Sequence, residues 1–142
     1  MKEKLNFRGL LLIAGLFVVF LVQGCGDLHH SATDIEVKAA NNFVSEHEDA
    51  VILDVRTRSE FEESHITGAV NVPVQDESFE DMVAKLNPNK KYIVHCSANH
   101  YIGRTNSALK SMQNLGFKHL YSLKGGYDAW KDADLPLTDT SD

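Results

Sequence analysis

Cys96 is the residue best placed to do chemistry. It closes the apolar run Tyr92-Ile93-Val94-His95 and precedes the loop Ser97-Ala98-Asn99-His100-Tyr101-Ile102, after which Gly103-Arg104 opens a helical pattern. A strand, a loop and a helix N-terminus in that order make an anion-binding cradle, because the loop N–H groups and the helix dipole converge on one place. The same donors stabilise a thiolate, the nucleophilic form of cysteine. Arg104 adds a positive charge that persists at ordinary pH. A persulfide or a bound oxyanion would be held by these same groups. A second account stands beside this one. Free cysteine is among the most buried residue types, and a cysteine at a strand end can be purely structural.

The neighbouring histidines are weaker candidates. Adjacent strand residues point to opposite faces, so His95 is expected in the core and not as a partner base for Cys96. His100 lies in the loop and could approach the thiolate, although a lone loop histidine is more often simply exposed. A metal site built from His95, Cys96 and His100 lacks clustered carboxylates nearby, and zinc needs three or four protein ligands, so no metal is expected. His29 and His30 sit in a short polar stretch (GDLHHSAT) that reads as a tether, and they are given no role.

The chain has 142 residues, enough for one domain, and hydrophobic residues make up 43%, enough for a core. A formal charge of −6 and a pI near 5.6 give no basic face, so nucleic acid is not expected as a partner. The N-terminus has a different character. Lys2, Lys4 and Arg8 precede an unbroken apolar run of 13 residues, 10–22. That suits the core of a signal peptide, whereas a spanning helix needs about 20 residues. The run ends in Val22-Gln23-Gly24-Cys25, which resembles a bacterial lipoprotein lipobox. The resemblance implies cleavage after residue 24, lipid on Cys25, a tether over 25–33, and a membrane anchor on an exported chain. It also implies the periplasmic side, with a lean towards the outer membrane in a Gram-negative cell because Gly26, not Asp, follows the cysteine. An uncleaved anchor and an ordinary signal peptide are the alternatives. With Cys25 committed to lipid, Cys96 would be a lone cysteine in an exported protein, either reactive or paired with another chain.

The elements that must position Cys96 alternate. Helical patterns are expected over 34–47, 59–65, 78–86, 103–115 and from 127 to 131. Short apolar strand runs are expected at 50–55 (AVILDV), 69–73 (AVNVP), 91–96 (KYIVHC) and 119–123. Ser59 is read as the cap of the second helix, and Gly116 as the residue that ends the helix before it. Strands and helices alternating at this spacing predict an α/β fold with a mostly parallel central sheet flanked by helices. The domain is expected over 34–137, followed by a polar tail at 138–142. Open sheets of this kind carry their chemistry beyond the C-terminal strand ends, where Cys96 falls.

Three ordered blocks resemble the rhodanese-like family: Leu53-Asp54-Val55-Arg56 with Glu60-Phe61 and the run from His65 to Pro73 (HITGAVNVP); the strand ending in Cys96; and Gly125-Gly126-Tyr127-Asp128-Ala129-Trp130. The resemblance implies a sulfurtransferase in which Cys96 takes the outer sulfur of a donor such as thiosulfate, holds it as a persulfide and passes it to a thiophilic acceptor. It implies that Ser97, Ala98, Asn99, His100, Tyr101, Ile102, Gly103 and Arg104 bind the substrate. The substrate would be a small sulfur-containing anion or a thiol, the acceptor a thiol or a protein, and no cofactor is required. Asp54, Arg56, Glu60 and His65 are read as a charged network pinning loops near the site, and Gly125-Gly126 as a tight turn passing close to the loop. The loop itself departs from the pattern. The family has C-x4-R and fold-sharing phosphatases have C-x5-R, but here seven residues separate Cys96 from Arg104. The cradle is therefore wider or partly folded aside, which weighs against a tight phosphate grip and against ordinary thiosulfate chemistry. Asn99, His100 and Tyr101 would then be free to meet a larger donor, acceptor or protein. A non-catalytic binding or sensing module, and an oxyanion reductase or phosphatase using the same cysteine, are the two other functional readings.

Overall fold

A computed structural model of the chain describes residues 32–97 and 102–139. The expectations for Cys25, for the leader and for Ala98, Asn99, His100 and Tyr101 lie outside the described residues.

Five strands form one parallel sheet: β1 (Thr33–Ile35), β2 (Ala50–Asp54), β4 (Val70–Asn71), β5 (Lys91–His95) and β6 (His119–Leu123), in the order β1-β6-β5-β2-β4. Strand β5 is central, paired along its length with β2 (Leu53 beside Val94, Asp54 beside His95) and with β6 (Tyr92 beside Leu120). Central parallel strands are buried on both faces, which is why they read as continuous apolar runs and not as alternating ones. Four helices cover the faces: α1 (Val37–Glu46), α3 (Phe79–Val83), α4 (Ile102–Asn114) and α5 (Gly126–Asp132). The pleat of β5 divides the core. Tyr92, Val94 and Cys96 pack with Phe79, Val83, Ala108 and Met112 on the side of α3 and α4. Ile93 packs with Val37, Ala40, Tyr127 and Trp130 on the side of α1 and α5. This alternation decides the direction of every side chain at the strand's end.

A fifth helix, α2 (Arg58–Glu63), follows β2 and starts at a capping box. Thr57 Oγ1 accepts from the Glu60 amide at 3.3 Å, and Glu60 Oε2 accepts from the Thr57 amide at 2.9 Å. The cap is thus Thr57 and not Ser59. Three further differences arise from pairings distant in sequence. Residues 33–35, expected partly as tether and partly as helix, form β1 against β6 (Thr33 beside Tyr121), and α1 begins only at Val37. Residues 64–66, expected at a helix end, form β3 (Ser64–Ile66), antiparallel to β7 (Leu137–Asp139), so Thr138 and Asp139 belong to a strand and not to a frayed tail. The folded unit therefore extends past both expected boundaries, 34 and 137.

Candidate active site

The strand-end geometry sets Cys96 and His95 on opposite faces. His95 is fully buried, its Nδ1 donating to the Cys96 carbonyl at 3.1 Å and its Nε2 3.8 Å from Asp54 Oδ2. Burial lowers the imidazole pKa from its ordinary value, and the Asp54 carboxylate only partly opposes this. His95 is a neutral core residue braced under the cysteine, as the alternation predicts. Cys96 is 3% exposed and forms no disulfide among the described residues.

The backbone after the strand is pinned on one side by α5. Tyr127 N–H donates to the Cys96 carbonyl at 2.8 Å, and Asp128 N–H donates to the Ser97 carbonyl at 2.9 Å. In a trans peptide the C=O and N–H point in opposite directions. With the Cys96 carbonyl aimed at α5, the Ser97 N–H of the same peptide is turned the other way, away from that helix. The approach is close enough to require glycine. Gly126 has φ +59°, and a Cβ there would stand 2.4 Å from the Cys96 carbonyl oxygen and 2.7 Å from that of Ser97.

The second brace is ionic. Asp54 and Arg56 are both buried and make a bidentate pair, with Arg56 Nη2 donating to Oδ2 at 2.7 Å and Nε donating to Oδ1 at 3.1 Å and to Oδ2 at 2.9 Å. Arg56 Nη2 also donates to the Ser64 carbonyl at 2.8 Å, and the guanidinium lies 4.0 Å from the Tyr127 ring centre. One residue thus joins the ends of β2, β3 and α5 around the loop. His65 is not part of this network, contrary to expectation. It stacks on Phe61 at 3.8 Å and its Nδ1 donates to the Phe61 carbonyl.

Arg104 lies at the start of α4 and meets Glu60 of α2. Its Nη1 donates to Glu60 Oε2 at 2.9 Å, its Nη2 to Oε1 at 3.4 Å and to Ser97 Oγ at 3.0 Å, while Ser97 Oγ donates to Glu60 Oε1 at 2.8 Å. The two feet of the long loop, Ser97 and Arg104, are therefore tied to each other and to one carboxylate. Glu60 was legible only as scaffold, yet the pattern Thr57-x-x-Glu60 in the sequence already marks its local role. Partial burial is the largest single influence on Glu60 and opposes ionisation. The donors from Arg104, Thr57 and Ser97 together outweigh it and hold the pKa at about 2, against an ordinary 4.5. A carboxylate depressed in the folded state stabilises the fold above its unfolded pKa, and that contribution is lost as pH falls towards the folded value. The wild-type chain is expected to lose stability between pH 4.5 and 2 more steeply than Glu60→Gln. Chemical denaturation at a series of pH values measures this, and parallel profiles would contradict the network.

An open cleft of about 250 Å³ runs beside Ser97, lined by Arg56, Glu60, Glu63, Ser64, Tyr127, Asp128 and Lys131. Of the expected substrate-binding set, Ser97 and Arg104 are brought together at the loop's base. Gly103 is exposed in the first turn of α4, and Ile102 is the first residue of that helix. Among the described residues no three His, Cys, Asp or Glu side chains form a group able to hold a metal ion, and no helix is long and apolar enough to cross a membrane.

Fold and site together define a small α/β domain with one cysteine at the C-terminal end of its central parallel strand. The model of the Rhodanese-like domain matches residues 37–133, and the chain belongs to the rhodanese-like family. Relatives include Protein HIGH ARSENIC CONTENT 1, mitochondrial, of Arabidopsis thaliana, 36% identical over 93 residues covering 57% of this chain; this chain spans about half (52%) of that protein. Thiosulfate sulfurtransferase GlpE of Coxiella burnetii is 33% identical over 93 residues, covering 66% of this chain and 81% of the relative. Among solved structures, the Alr3790 protein of Anabaena sp. superposes with a TM-score of 0.67 at 26% identity, over 76% of this chain and 94% of that one.

Proposed function

We propose that this protein is a sulfurtransferase in which Cys96 carries sulfur as a persulfide. The observation that carries the reading is the placement of Cys96 at the end of β5, where its carbonyl is held by Tyr127 and the following N–H is turned away from α5. Membership of the rhodanese-like family and likeness to a relative named as a thiosulfate sulfurtransferase support it. In the first step the Cys96 thiolate attacks the outer sulfur of the donor. A bond forms between Sγ and that sulfur, the donor's own bond to it breaks, and the leaving group departs with the electron pair, as sulfite when the donor is thiosulfate. In the second step a thiophilic acceptor attacks the outer sulfur of the persulfide and the Cys96 thiolate is regenerated. Backbone N–H groups of the loop hold the negative charge at each stage. No cofactor and no net oxidation are needed.

The direct test is turnover. The chain is supplied with thiosulfate or a low-molecular-weight persulfide as donor and cyanide or a thiol as acceptor, and thiocyanate or hydrogen sulfide is measured. Failure with every donor, with Cys96→Ser equally active in cells, would instead favour a binding or sensing module. Phosphate release or arsenate reduction lost in Cys96→Ser would favour the oxyanion chemistry, although the seven-residue spacing weighs against it.

We further propose that the chain is exported and anchored by lipid on Cys25, which places the reaction on the periplasmic side of a membrane. The basic N-terminus, the 13-residue apolar run and the cysteine position support this. Metabolic labelling with a radioactive fatty acid is expected to label the wild-type chain and not Cys25→Ser, and an unlabelled wild-type chain would contradict the anchor.

A further inference from the structure

Arg104 already holds an anion, and that anion is part of the protein. Its two terminal nitrogens grip the Glu60 carboxylate at 2.9 and 3.4 Å, a fork geometry of the kind an arginine uses on a bound oxyanion. Ser97 Oγ donates to the same carboxylate at 2.8 Å, and the Thr57 amide and hydroxyl donate to it at 2.9 and 2.8 Å. Two oxygens with about four lone-pair sites are thereby saturated. The cleft alongside does not offset this. Arg56 and Lys131 are set against Glu60, Glu63 and Asp128, and the Arg56 guanidinium is itself bound to Asp54. A doubly charged donor would meet carboxylates on this wall and an arginine that is already engaged.

We propose that Glu60 is a specificity-determining residue: its carboxylate occupies Arg104 and Ser97 in place of a substrate anion, and so selects against dianionic donors such as thiosulfate in favour of thiol-derived persulfides of lower charge. The inference rests on the sulfurtransferase reading above. With a donor R–S–SH, the Cys96 thiolate attacks the outer sulfur, a bond forms between Sγ and that sulfur, the donor's S–S bond breaks, and RS⁻ leaves with the electron pair. The proton stays on the transferred sulfur, so the step is balanced without an oxidant.

The test uses the full 142-residue chain and sodium sulfate, an unreactive dianion, titrated by calorimetry at constant ionic strength. Glu60→Gln frees Arg104 and is expected to bind sulfate at least tenfold more tightly than wild type. The double variant Glu60→Gln/Arg104→Gln is expected to lose that gain. A purely structural role for Glu60 would lower affinity or leave it alone. An unchanged affinity in Glu60→Gln, or a gain that survives in the double variant, overturns the proposal. Arg104→Gln alone supplies an arm that holds even if Glu60→Gln fails to fold. Its sulfate affinity is expected within twofold of wild type, and a tenfold loss would show that Arg104 grips the external anion and overturn the idea. In turnover, the kcat/KM ratio for thiosulfate over a cysteine-derived persulfide is expected to rise about tenfold in Glu60→Gln. Sulfate binding needs no sulfur transfer, so a chain that transfers none defeats the sulfurtransferase reading while the sulfate titration still decides on Glu60.

Discussion

Replacing Cys96 by serine or alanine is expected to reduce sulfur transfer on the order of 10³-fold or more while leaving a folded protein. The loss is large because the thiolate is itself the carrier: without it neither half of the reaction has an intermediate. A serine hydroxyl at the same place stays protonated near neutral pH and forms no comparable bond to sulfur. The fold survives because the change is small. Cys96 packs beside Val94, Ala108 and Met112, and removing or exchanging one heavy atom there costs about 1 kcal/mol. The measurement pairs steady-state transfer with thermal unfolding. An active Cys96→Ala protein would show that the chemistry lies elsewhere.

Gly126→Ala is expected to cost about 3 kcal/mol and to lower the melting temperature by on the order of 10 °C. Two effects combine. A left-handed conformation at φ +59° disfavours a residue with a Cβ by about 1–2 kcal/mol. The added methyl would also lie 2.4 and 2.7 Å from two backbone carbonyl oxygens that cannot turn away without breaking their bonds to Tyr127 and Asp128. Overpacking of this kind costs about 1–3 kcal/mol. Relief comes only by moving the Cys96 peptide, so activity is expected to fall with stability. Gly68→Ala is the control. It shares a positive φ of +81°, but nothing lies within 4 Å of the added Cβ, so only the conformational part of the cost applies. Equal losses in the two variants would show that contact with the Cys96 carbonyl is unimportant.

Both expectations concern features the sequence partly discloses. The parallel sheet was legible because strands buried on both faces leave continuous apolar runs such as AVILDV and KYIVHC. The Gly125-Gly126 turn was legible because paired glycines before a helical pattern demand close backbone approach or positive φ. What escaped depends on distant partners. Thr33–Ile35 is strand only because β6 lies beside it, and three residues carry too little pattern to separate a strand from a helix start. Strands β3 and β7 are short and partly polar, and they exist through each other across more than 70 residues. The cap of α2 was decidable from Thr57-x-x-Glu60, a stronger signal than Ser59 alone. The bond between Glu60 and Arg104 was not, since it spans 44 positions and follows from the folding of α2 against the start of α4. That bond changes how the wide spacing between Cys96 and Arg104 is understood. The extra residues do not leave the loop's base open, because Ser97 and Arg104 are joined through one carboxylate.

Whether Cys96 accepts and holds sulfur is read by mass spectrometry of the purified chain after exposure to thiosulfate and to a low-molecular-weight persulfide, followed by removal of the donor. A mass gain of one sulfur atom is expected, mapped to the peptide containing Cys96, absent in Cys96→Ser and discharged by cyanide or a thiol. A wild-type chain that gains no sulfur from either donor, or one that carries it on another residue, would contradict it.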